Sequence, residues 1–227
     1  MEAIILAGGL GTRLKSLVRD IPKPMVNINK RPFLEIILSH LSSNGFTRVV
    51  LSVGYLSHVI SNYFGTEYKN LEIHYALEKE RLGTGGAIKY ALDHCKEDKV
   101  FIFNGDTFLD LNFKSLIRKT DNTLKPILVT RKVKDVSRYG SIEASNNLLV
   151  GFMEKSGLGE GYINAGCYYV PREVMKRFTE KSFSFEEIAI PALMKNPGIA
   201  LYNHNGSFID IGVPEDLEKA EDVLKDF

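Results

Sequence analysis

Residues 2–25 read EAIILAGGLGTRLKSLVRDIPKPM. Residues 2–7 form a short, largely apolar run that ends at two glycines, which is typical of a buried parallel strand followed by a tight loop. In open α/β sheets, the loops at the carboxyl ends of the strands bind ligands. Glycines in such a loop let backbone N–H groups approach a phosphate without obstruction by a Cβ atom. The stretch therefore predicts an α/β protein whose first loop binds an anion.

The chain up to Asp110 alternates between strand-like and helix-like segments. Short apolar runs predict further strands at RVVLSVG (48–54), LEIHYAL (71–77) and KVFIFNGD (99–106). The segments around them predict helices at RPFLEIILSHLSSNGF (31–46), HVISNYF (58–64) and GTGGAIKYALDHC (83–95). This alternation predicts a doubly wound, mostly parallel α/β sheet of the Rossmann-like kind.

Beyond Asp110 the sequence becomes richer in strand-like runs. These are KPILVTRKV (125–133), GSIEAS (140–145), LLVGFMEK (148–155), YINAGCYYVP (162–171), GIALYNHN (198–205) and SFIDIG (207–212). Helices are predicted over 171–178 and 184–195, and Pro214 begins a C-terminal helix. No linker is visible, so we expect a single domain over 1–227 in which the second half is a small β-rich extension that forms a lid or a substrate wall.

The composition limits the classes of function. The chain has 227 residues, of which 44% are hydrophobic and 25% charged, as in ordinary globular proteins. A net charge of +1 gives no global field for nucleic acid or membranes, and no apolar run approaches a membrane span. The first apolar run lacks a basic leader, so we expect a cytoplasmic protein. Cys95 and Cys167 form neither a metal cluster nor a redox CxxC pair.

The glycine loop departs from two familiar phosphate-binding motifs. Read from Gly9, a Rossmann fingerprint requires Gly or Ala at position 14 and a Walker A loop requires Gly there, but the residue is Leu14. What remains is GGxGTR followed by Pro-Lys-Pro. The planar guanidinium of Arg13 can clamp phosphate oxygens. The prolines on both sides of Lys23 restrict the backbone and hence the direction of its ammonium.

These motifs resemble those of the sugar-1-phosphate nucleotidyltransferases. The resemblance rests on GGLGTRL (8–14), PKPM (22–25), LGTGGA (82–87), NGDT (104–107), FMEK (152–155), NAGCYYV (164–170) and DIGVPEDL (210–217). It covers essentially the whole chain. It implies the nucleotide-diphospho-sugar transferase fold, with a nucleotide-binding half at 1–110 and a sugar-binding half with the C-terminal helix at 111–227. It also implies an enzyme that joins a nucleoside triphosphate to a sugar 1-phosphate and releases pyrophosphate.

The resemblance implies roles for the charged residues around the phosphates. As catalytic residues, Arg13 would clamp the leaving pyrophosphate and Lys23 would contact the α-phosphate. Asp106 and Asp210 would hold Mg²⁺, a cation that prefers oxygen ligands. Both aspartates have plainer alternatives, because Asp106 lies in a segment with turn chemistry and Asp210 could place a charge near the helix at Pro214.

The resemblance also implies that the base of the nucleotide lies against the first glycine loop and the LGTGGA turn. The residues predicted to bind the nucleotide are Leu6, Ala7, Gly8, Gly9, Gly11, Thr12, Glu78, Gly83 and Thr84. Guanine presents two adjacent donors, N1–H and the 2-amino group, and the Glu78 carboxylate can accept from both. This favours GTP, although a carboxylate also accepts one bond from uracil, and Glu78 could instead be a solvated residue.

The sugar 1-phosphate is expected to contact the second half of the chain. The residues that the resemblance assigns to it are Tyr139, Gly140, Glu154, Lys155 and Asn164. Taken singly, these are equally consistent with a packed aromatic, solvated charges and a β-turn. Their joint order along the chain is what favours a binding site.

Within the family, the chain resembles the bacterial heptose 1-phosphate guanylyltransferases. The residues that carry this resemblance are IILAGGLGTRLKS, DIPKPM, RPFLE, EKERLGTGGAIK, NGDTF and SFEE. It implies synthesis of GDP-heptose for capsule or lipopolysaccharide. One alternative is an enzyme that combines GTP with mannose 1-phosphate. A second is an enzyme that combines UTP or dTTP with glucose 1-phosphate or an N-acetylated sugar 1-phosphate. A third, of a different class, is a non-catalytic sugar-nucleotide sensor. Neither nucleic acid nor membrane partners are expected, and a homodimer is left open.

Overall fold

The computed structural model describes residues 1–9, 21–119, 123–137, 139, 141–153 and 159–227. Its strands are β1 Glu2–Leu6, β2 Asn27–Ile28, β3 Arg31–Pro32, β4 Arg48–Val53, β5 Glu67–Tyr68, β6 Leu71–Leu77, β7 Lys99–Asn104, β8 Thr107–Leu109, β9 Ile127–Val133, β10 Ser141–Ser145, β11 Leu148–Met153, β12 Gly161–Pro171, β13 Ala200–Asn203 and β14 Phe208–Asp210. Its helices are α1 Phe33–Ser43, α2 Ser57–Phe64, α3 Gly83–Leu92, α4 Phe113–Arg118, α5 Arg172–Met175, α6 Ile190–Lys195 and α7 Pro214–Val223, with a 3-10 turn at Lys23–Met25 and a π-helical turn at Phe185–Ala189. None of the helices in these ranges is long and apolar enough to cross a membrane.

One mixed sheet of ten strands runs through the molecule, in the order β10-β11-β13-β9-β12-β7-β1-β4-β6-β5. The central strands β7, β1, β4 and β6 are parallel. Strand β12 runs antiparallel to both β7 and β9, and so joins the second half of the chain to the first. Two small antiparallel pairs, β2 with β3 and β8 with β14, lie outside this sheet.

Each face of the sheet has its own hydrophobic core. Along β1, Ala3 and Ile5 belong to one core and Ile4 to the other, because successive side chains of a strand alternate between faces. Helices α1, α2, α4 and α7 supply residues to the first core, and α3, α5 and α6 to the second. The predicted doubly wound α/β fold is therefore confirmed, with a parallel centre and a mixed, β-rich extension.

The short elements differ from the sequence-based expectation. The helix predicted over 171–178 is only the short α5, and the helix predicted over 184–195 begins as a π-helical turn before α6. The sequence does not predict α4, which has six residues and starts where Ser115 N–H donates to Asn112 Oδ1 at 2.9 Å. A six-residue helix is too short for its hydrophobic period to be recognised in the sequence.

The carboxyl ends of the parallel strands meet at one edge of the sheet. Leu6 at the end of β1 is in register with Ser52 of β4 and with Asn104 of β7. Gly105 N–H then donates to the Leu6 carbonyl at 3.0 Å, and a Cβ atom at Gly105 would lie 2.5 Å from that oxygen. Only glycine permits this approach, which brings the loops after β1 and β7 together.

Candidate functional site

A cavity of about 490 Å³ opens at the carboxyl ends of the parallel strands. The residues that line it are Leu6, Ala7, Gly8, Gly9, Lys23, Pro24, Glu78, Arg81, Gly83, Thr84, Ala87, Asn104, Gly105, Asp106 and Glu186. All of the described residues that were predicted to bind the nucleotide are among them, together with Lys23 and Asp106. The structure therefore brings the described residues predicted to bind the nucleotide, together with Lys23 and Asp106, to one concave surface.

Not every predicted residue can be placed in this lining. The predicted residues that lie outside the described part of the chain are Gly11, Thr12, Arg13, Gly140, Glu154 and Lys155. Tyr139, Asn164 and Asp210 are described but are not among the lining residues. Conversely, Arg81 and Glu186 line the cavity although no spacing rule singled them out. The only sequence signal for Glu186 was its place in the SFEE motif.

Lys23 and Asp106 form an ion pair in the cavity lining. The 3-10 turn at Lys23–Met25 buries Pro24 and Met25, so the backbone that carries Lys23 is anchored. The side chains of Lys23 and Asp106 are 15% and 33% exposed, so water screens their attraction less than in a surface pair. The ammonium is therefore held at a position where it can meet an anionic ligand.

Asp210 lies beside this pair although it is far away along the chain. β14 pairs with β8 so that Asp210 lies opposite Thr107, the neighbour of Asp106. Burial raises the pKa of Asp210 to about 6; the charge of Asp106 adds to this effect, and the charge of Lys23 opposes it. Two carboxylates thus compete for one ammonium.

The two aspartates are the residues that could hold a divalent cation. Within the described ranges, no group of three or more His, Cys, Asp and Glu side chains is arranged for a metal ion. Mg²⁺, however, is commonly held by one or two carboxylates together with substrate phosphates. Burial is the larger cause of the raised pKa of Asp210, and the nearby charge of Asp106 adds to it; a bound cation would offset this second effect. The donor set therefore fits a metal ion that is bound together with an anionic ligand.

Glu78 occupies the cavity lining just after β6. Its N–H donates to the Val53 carbonyl at 2.8 Å, which extends the pairing of β4 with β6. Its Oε1 accepts a 2.8 Å hydrogen bond from Oγ of Ser52, a residue that is fully buried. A Cβ atom at Gly8 would lie 2.9 Å from the same oxygen, so glycine provides the space. These contacts fix the direction of the carboxylate.

The glycines of the LGTGGA segment are needed for packing as well as for the cavity. Gly85 N–H donates to the Phe183 carbonyl at 2.9 Å, and a Cβ atom at Gly85 would lie 2.2 Å from the Phe183 ring. Gly83 has a φ of +67°, and a Cβ atom there would lie 2.5 Å from the Phe183 oxygen. The sequence could not reveal this reason for the glycines, because Phe183 lies far along the chain.

Thr84 ties the same segment to Glu186. Thr84 Oγ1 donates to Glu186 Oε2 at 2.6 Å and accepts from Phe185 N–H at 2.8 Å. Ser184 Oγ lies 3.4 Å from the same carboxylate oxygen. The start of α3 and the segment before α6 therefore form one unit at the cavity wall.

The described residues that were predicted to bind a sugar have contacts of their own. Asn164 lies where the pairing of β12 with β9 is irregular. Its Nδ2 donates to the Tyr168 hydroxyl at 2.5 Å, and its Oδ1 accepts from Gly166 N–H at 3.0 Å. The Tyr139 ring lies 6.4 Å from the Phe208 ring, measured between centroids. Asn164 thus helps to shape β12, and its role in binding a sugar stays a prediction.

Known proteins are similar to this chain over nearly its whole length. A family model described as Nucleotidyl transferase matches residues 2–226. A D-glycero-alpha-D-manno-heptose 1-phosphate guanylyltransferase from Campylobacter jejuni subsp. jejuni serotype O:2 is 43% identical over 218 residues, which are 95% of this chain and 96% of the relative. An enzyme of the same name from Aneurinibacillus thermoaerophilus is 37% identical over 233 residues, covering 100% of both chains.

A solved structure agrees with these relatives. HddC from Yersinia pseudotuberculosis, complexed with GMP-PN, is 37% identical and superposes with a TM-score of 0.87 over 97% of this chain and 98% of that chain. The likeness thus holds in sequence and in three dimensions over nearly the full length. The chain belongs to the nucleotidyl transferase family of enzymes, which confirms the resemblance seen in its glycine loop and PKPM segment.

Proposed function

We propose that the protein transfers GMP from GTP to D-glycero-α-D-manno-heptose 1-phosphate, forming GDP-heptose and pyrophosphate. Two relatives that carry this activity in their names match it over nearly their full length. The complex of HddC with GMP-PN supports a guanine nucleotide as the ligand. In this chain, the observation that carries the proposal is the Glu78 carboxylate, held by Ser52 in the same cavity lining as Lys23 and Asp106.

The choice of base follows from hydrogen-bond chemistry at Glu78. An ionised carboxylate only accepts hydrogen bonds, and guanine offers two adjacent donors, N1–H and the 2-amino group. Uracil and thymine offer one donor on the corresponding edge, and the ring nitrogen of cytosine is an acceptor. The fixed direction of Glu78 turns this difference in donors into a preference for guanine, because a carboxylate held by Ser52 cannot easily rotate to suit another base.

The reaction joins two polyanions, so positive charge and positioning are its main requirements. An oxygen of the sugar phosphate attacks the α-phosphorus, the bond from that phosphorus to the bridging oxygen breaks, and pyrophosphate leaves. Lys23 donates to the α-phosphate and stabilises the charge that develops there. Its ion pair with Asp106 holds the ammonium in the cavity lining until a phosphate takes the place of the carboxylate. Arg13, which lies outside the described residues, would clamp the leaving pyrophosphate.

Mg²⁺ is the proposed cofactor, held by Asp106 and Asp210. Divalent metals are common in this family. When bound, Mg²⁺ would neutralise phosphate charge and polarise the phosphoryl group under attack. Asp210 must be ionised for this role. The charge of Lys23 favours the ionised form, whereas burial and Asp106 oppose it.

The sugar 1-phosphate is assigned to the second half of the chain. Tyr139 and Asn164 would contribute to its site, with Gly140, Glu154 and Lys155 from outside the described residues. Mannose 1-phosphate is the competing substrate, because a mannose-1-phosphate guanyltransferase from Saccharomyces cerevisiae is 34% identical over 96% of this chain and 63% of that relative. The full-length match to the heptose enzymes favours the heptose.

A matrix of substrates tests the proposal. Each nucleoside triphosphate is combined with each of several sugar 1-phosphates and Mg²⁺, and pyrophosphate release is measured. GTP with the heptose 1-phosphate is expected to have the highest kcat/KM, with UTP and dTTP lower by roughly tenfold or more. If UTP or dTTP reacts best, the assignment of the base is wrong; if mannose 1-phosphate reacts best, the assignment of the sugar is wrong. Full activity in excess EDTA would contradict the metal site.

A further inference from the structure

Two cationic side chains, Lys23 and Arg81, are among the residues that line the cavity, and they differ in their partners. Lys23 pairs with Asp106. The acid next to Arg81 along the chain, Glu80, pairs with Lys181. The exposed guanidinium of Arg81 itself makes no hydrogen bond or ion pair with any residue that the structure describes. Within that part of the chain, its N–H donors are therefore left for a ligand.

The backbone at Arg81 is held in place although the side chain is exposed. Ser182 Oγ donates to the Arg81 carbonyl at 3.1 Å. Phe183 N–H donates to the Leu82 carbonyl at 2.9 Å. These two hydrogen bonds fix the chain directly after the Arg81 Cα atom. The guanidinium therefore extends from a defined point of the cavity wall, as a group that recognises a ligand must.

Arg81 belongs to the same end of the cavity as Glu78. Both residues follow β6, whereas Asp106 follows β7. Strands β1 and β4 lie between β6 and β7 in the sheet. The ends of β6 and β7 are therefore about 14 Å apart, three times the spacing between neighbouring strands. In the proposed function the ion pair of Asp106 marks the phosphate end, so Arg81 lies with Glu78 at the end that takes the base.

Glu78 satisfies only part of the hydrogen-bonding capacity of guanine. Next to N1–H around the ring come O6 and N7, which are both acceptors. A guanidinium presents two N–H groups in a planar fork and can donate to O6 and N7 together. We infer that Arg81 binds this O6/N7 edge and is a second specificity-determining residue for the base. The inference rests on the proposed function, because it uses the assignment of Glu78 to N1–H and the 2-amino group.

The two side chains together complement guanine and no other common base. Glu78 offers acceptors where guanine has donors, and Arg81 offers donors where guanine has acceptors. Adenine carries a donor, its 6-amino group, where guanine has O6, so the guanidinium would face a donor with a donor. Arg81 therefore adds a rejection of adenine to the preference for guanine over pyrimidines that Glu78 provides.

The experiment uses 7-deaza-GTP, in which a C–H group replaces N7 while O6, N1–H and the 2-amino group are kept. The Kd values of GTP and 7-deaza-GTP are measured by calorimetry with Mg²⁺ and without a sugar phosphate. Wild type is expected to bind GTP more tightly by about threefold to tenfold, the scale of one lost hydrogen bond. In Arg81→Ala this ratio is expected to fall to about one, because no donor is left for N7.

Three comparisons separate this contact from other effects of the substitution. The GTP/ITP ratio is expected to stay at its wild-type value in Arg81→Ala, because ITP keeps O6 and N7. Arg81→Lys should recover part of the GTP/7-deaza-GTP ratio, since an ammonium donates to the same acceptors. Lys79→Ala is the matched control: it removes an exposed cation of the same loop that is not among the cavity-lining residues, and the ratio should not change.

Each contrary result has a distinct meaning. The inference is overturned if Arg81→Ala weakens GTP and 7-deaza-GTP by the same factor, because the guanidinium would then act on the phosphates. It is also overturned if wild type binds both nucleotides equally; continued discrimination against ITP would then leave the assignment of Glu78 and of the base intact. Tighter binding of UTP or dTTP than of GTP would instead overturn the proposed base, and the role of Arg81 with it.

Discussion

Lys23 combines a positive charge with a fixed position. Its side chain is 15% exposed, pairs with Asp106 and extends from an anchored 3-10 turn. Lys23→Ala is expected to lower kcat by at least about a hundredfold, the scale of losing one preorganised donor to the transition state. Lys114→Ala, which removes an exposed lysine of α4, is the control and should retain wild-type turnover. Near wild-type kcat in Lys23→Ala at saturating substrate would contradict the proposed role.

Glu78 and Ser52 are expected to act as a unit in choosing the base. Wild type should prefer GTP over ITP, which lacks the 2-amino group, by about tenfold in kcat/KM, because an unpaired carboxylate oxygen costs about 1–3 kcal/mol. Glu78→Gln should reduce this ratio, since one carboxylate oxygen becomes a donor that faces a donor. Ser52→Ala should reduce it partly, because Oε1 loses the hydrogen bond that directs it. Ser61→Ala, which removes a half-buried hydroxyl of α2 that is not among the cavity-lining residues, is the control. A GTP/ITP ratio that is unchanged by Ser52→Ala would exclude positioning of Glu78 by Ser52.

The start of α3 depends on close contact with Phe183. A Cβ atom at Gly85 would lie 2.2 Å from the Phe183 ring, so Gly85→Ala forces one of them to move. We expect this variant to lower the free energy of unfolding by about 1–3 kcal/mol, as overpacked cores do, measured by urea denaturation. Adding Phe183→Leu should recover part of the loss. At Gly9 a Cβ atom would meet none of the residues that the structure describes within 4 Å, so Gly9→Ala should keep wild-type stability. Equal stability of Gly85→Ala and wild type would show that the contact relaxes freely.

Secondary-structure elements could be predicted from the sequence where nearly all of their residues are buried and therefore apolar. Strands β1, β4 and β7 are buried along most of their length, and their apolar runs identified them. The two-residue strands β2, β3 and β5 carry too few residues for any pattern, and their existence depends on tertiary contacts. The π-helical turn at Phe185–Ala189 buries Phe185 and Ala189, and nothing in the local sequence distinguishes it from an α-helical turn.

Across the whole molecule, the sequence motifs identified candidate site residues but not the residues that these contact in the fold. The NGDT and DIGVPEDL motifs named Asp106 and Asp210, yet only the pairing of β8 with β14 makes them neighbours. Ser52 gave no signal at all, because a buried serine at the end of a strand is common. The contact of Thr84 with Glu186 joins two segments about a hundred residues apart and could not be expected from either one. Long-range pairing therefore determines the part of the site that sequence patterns cannot supply.

His204, which is buried, and His40, which is partly buried, lie near Asp110, where the first half of the chain meets the second. Burial lowers the pKa of His40 and of His204, and Asp110 partly opposes both shifts. Below the ordinary histidine pKa of about 6.5, the unfolded chain therefore binds more protons at these residues than the native protein does, so they reduce stability as the pH falls. Asp210 acts in the opposite direction, because its raised pKa lets the native protein bind a proton more readily.

The contribution of the histidines is therefore measured as a difference. Urea unfolding is followed from about pH 7.5 to about pH 5, on both sides of the ordinary histidine pKa, in wild type and in the double variant His40→Gln/His204→Gln. Wild type is expected to lose more stability over this range than the double variant, because glutamine does not titrate, while the opposing effect of Asp210 is common to both proteins. Each single variant should fall between them, since both imidazoles have a lowered pKa. The same pH dependence in wild type and double variant would mean that burial of these rings does not control the acid stability of the fold.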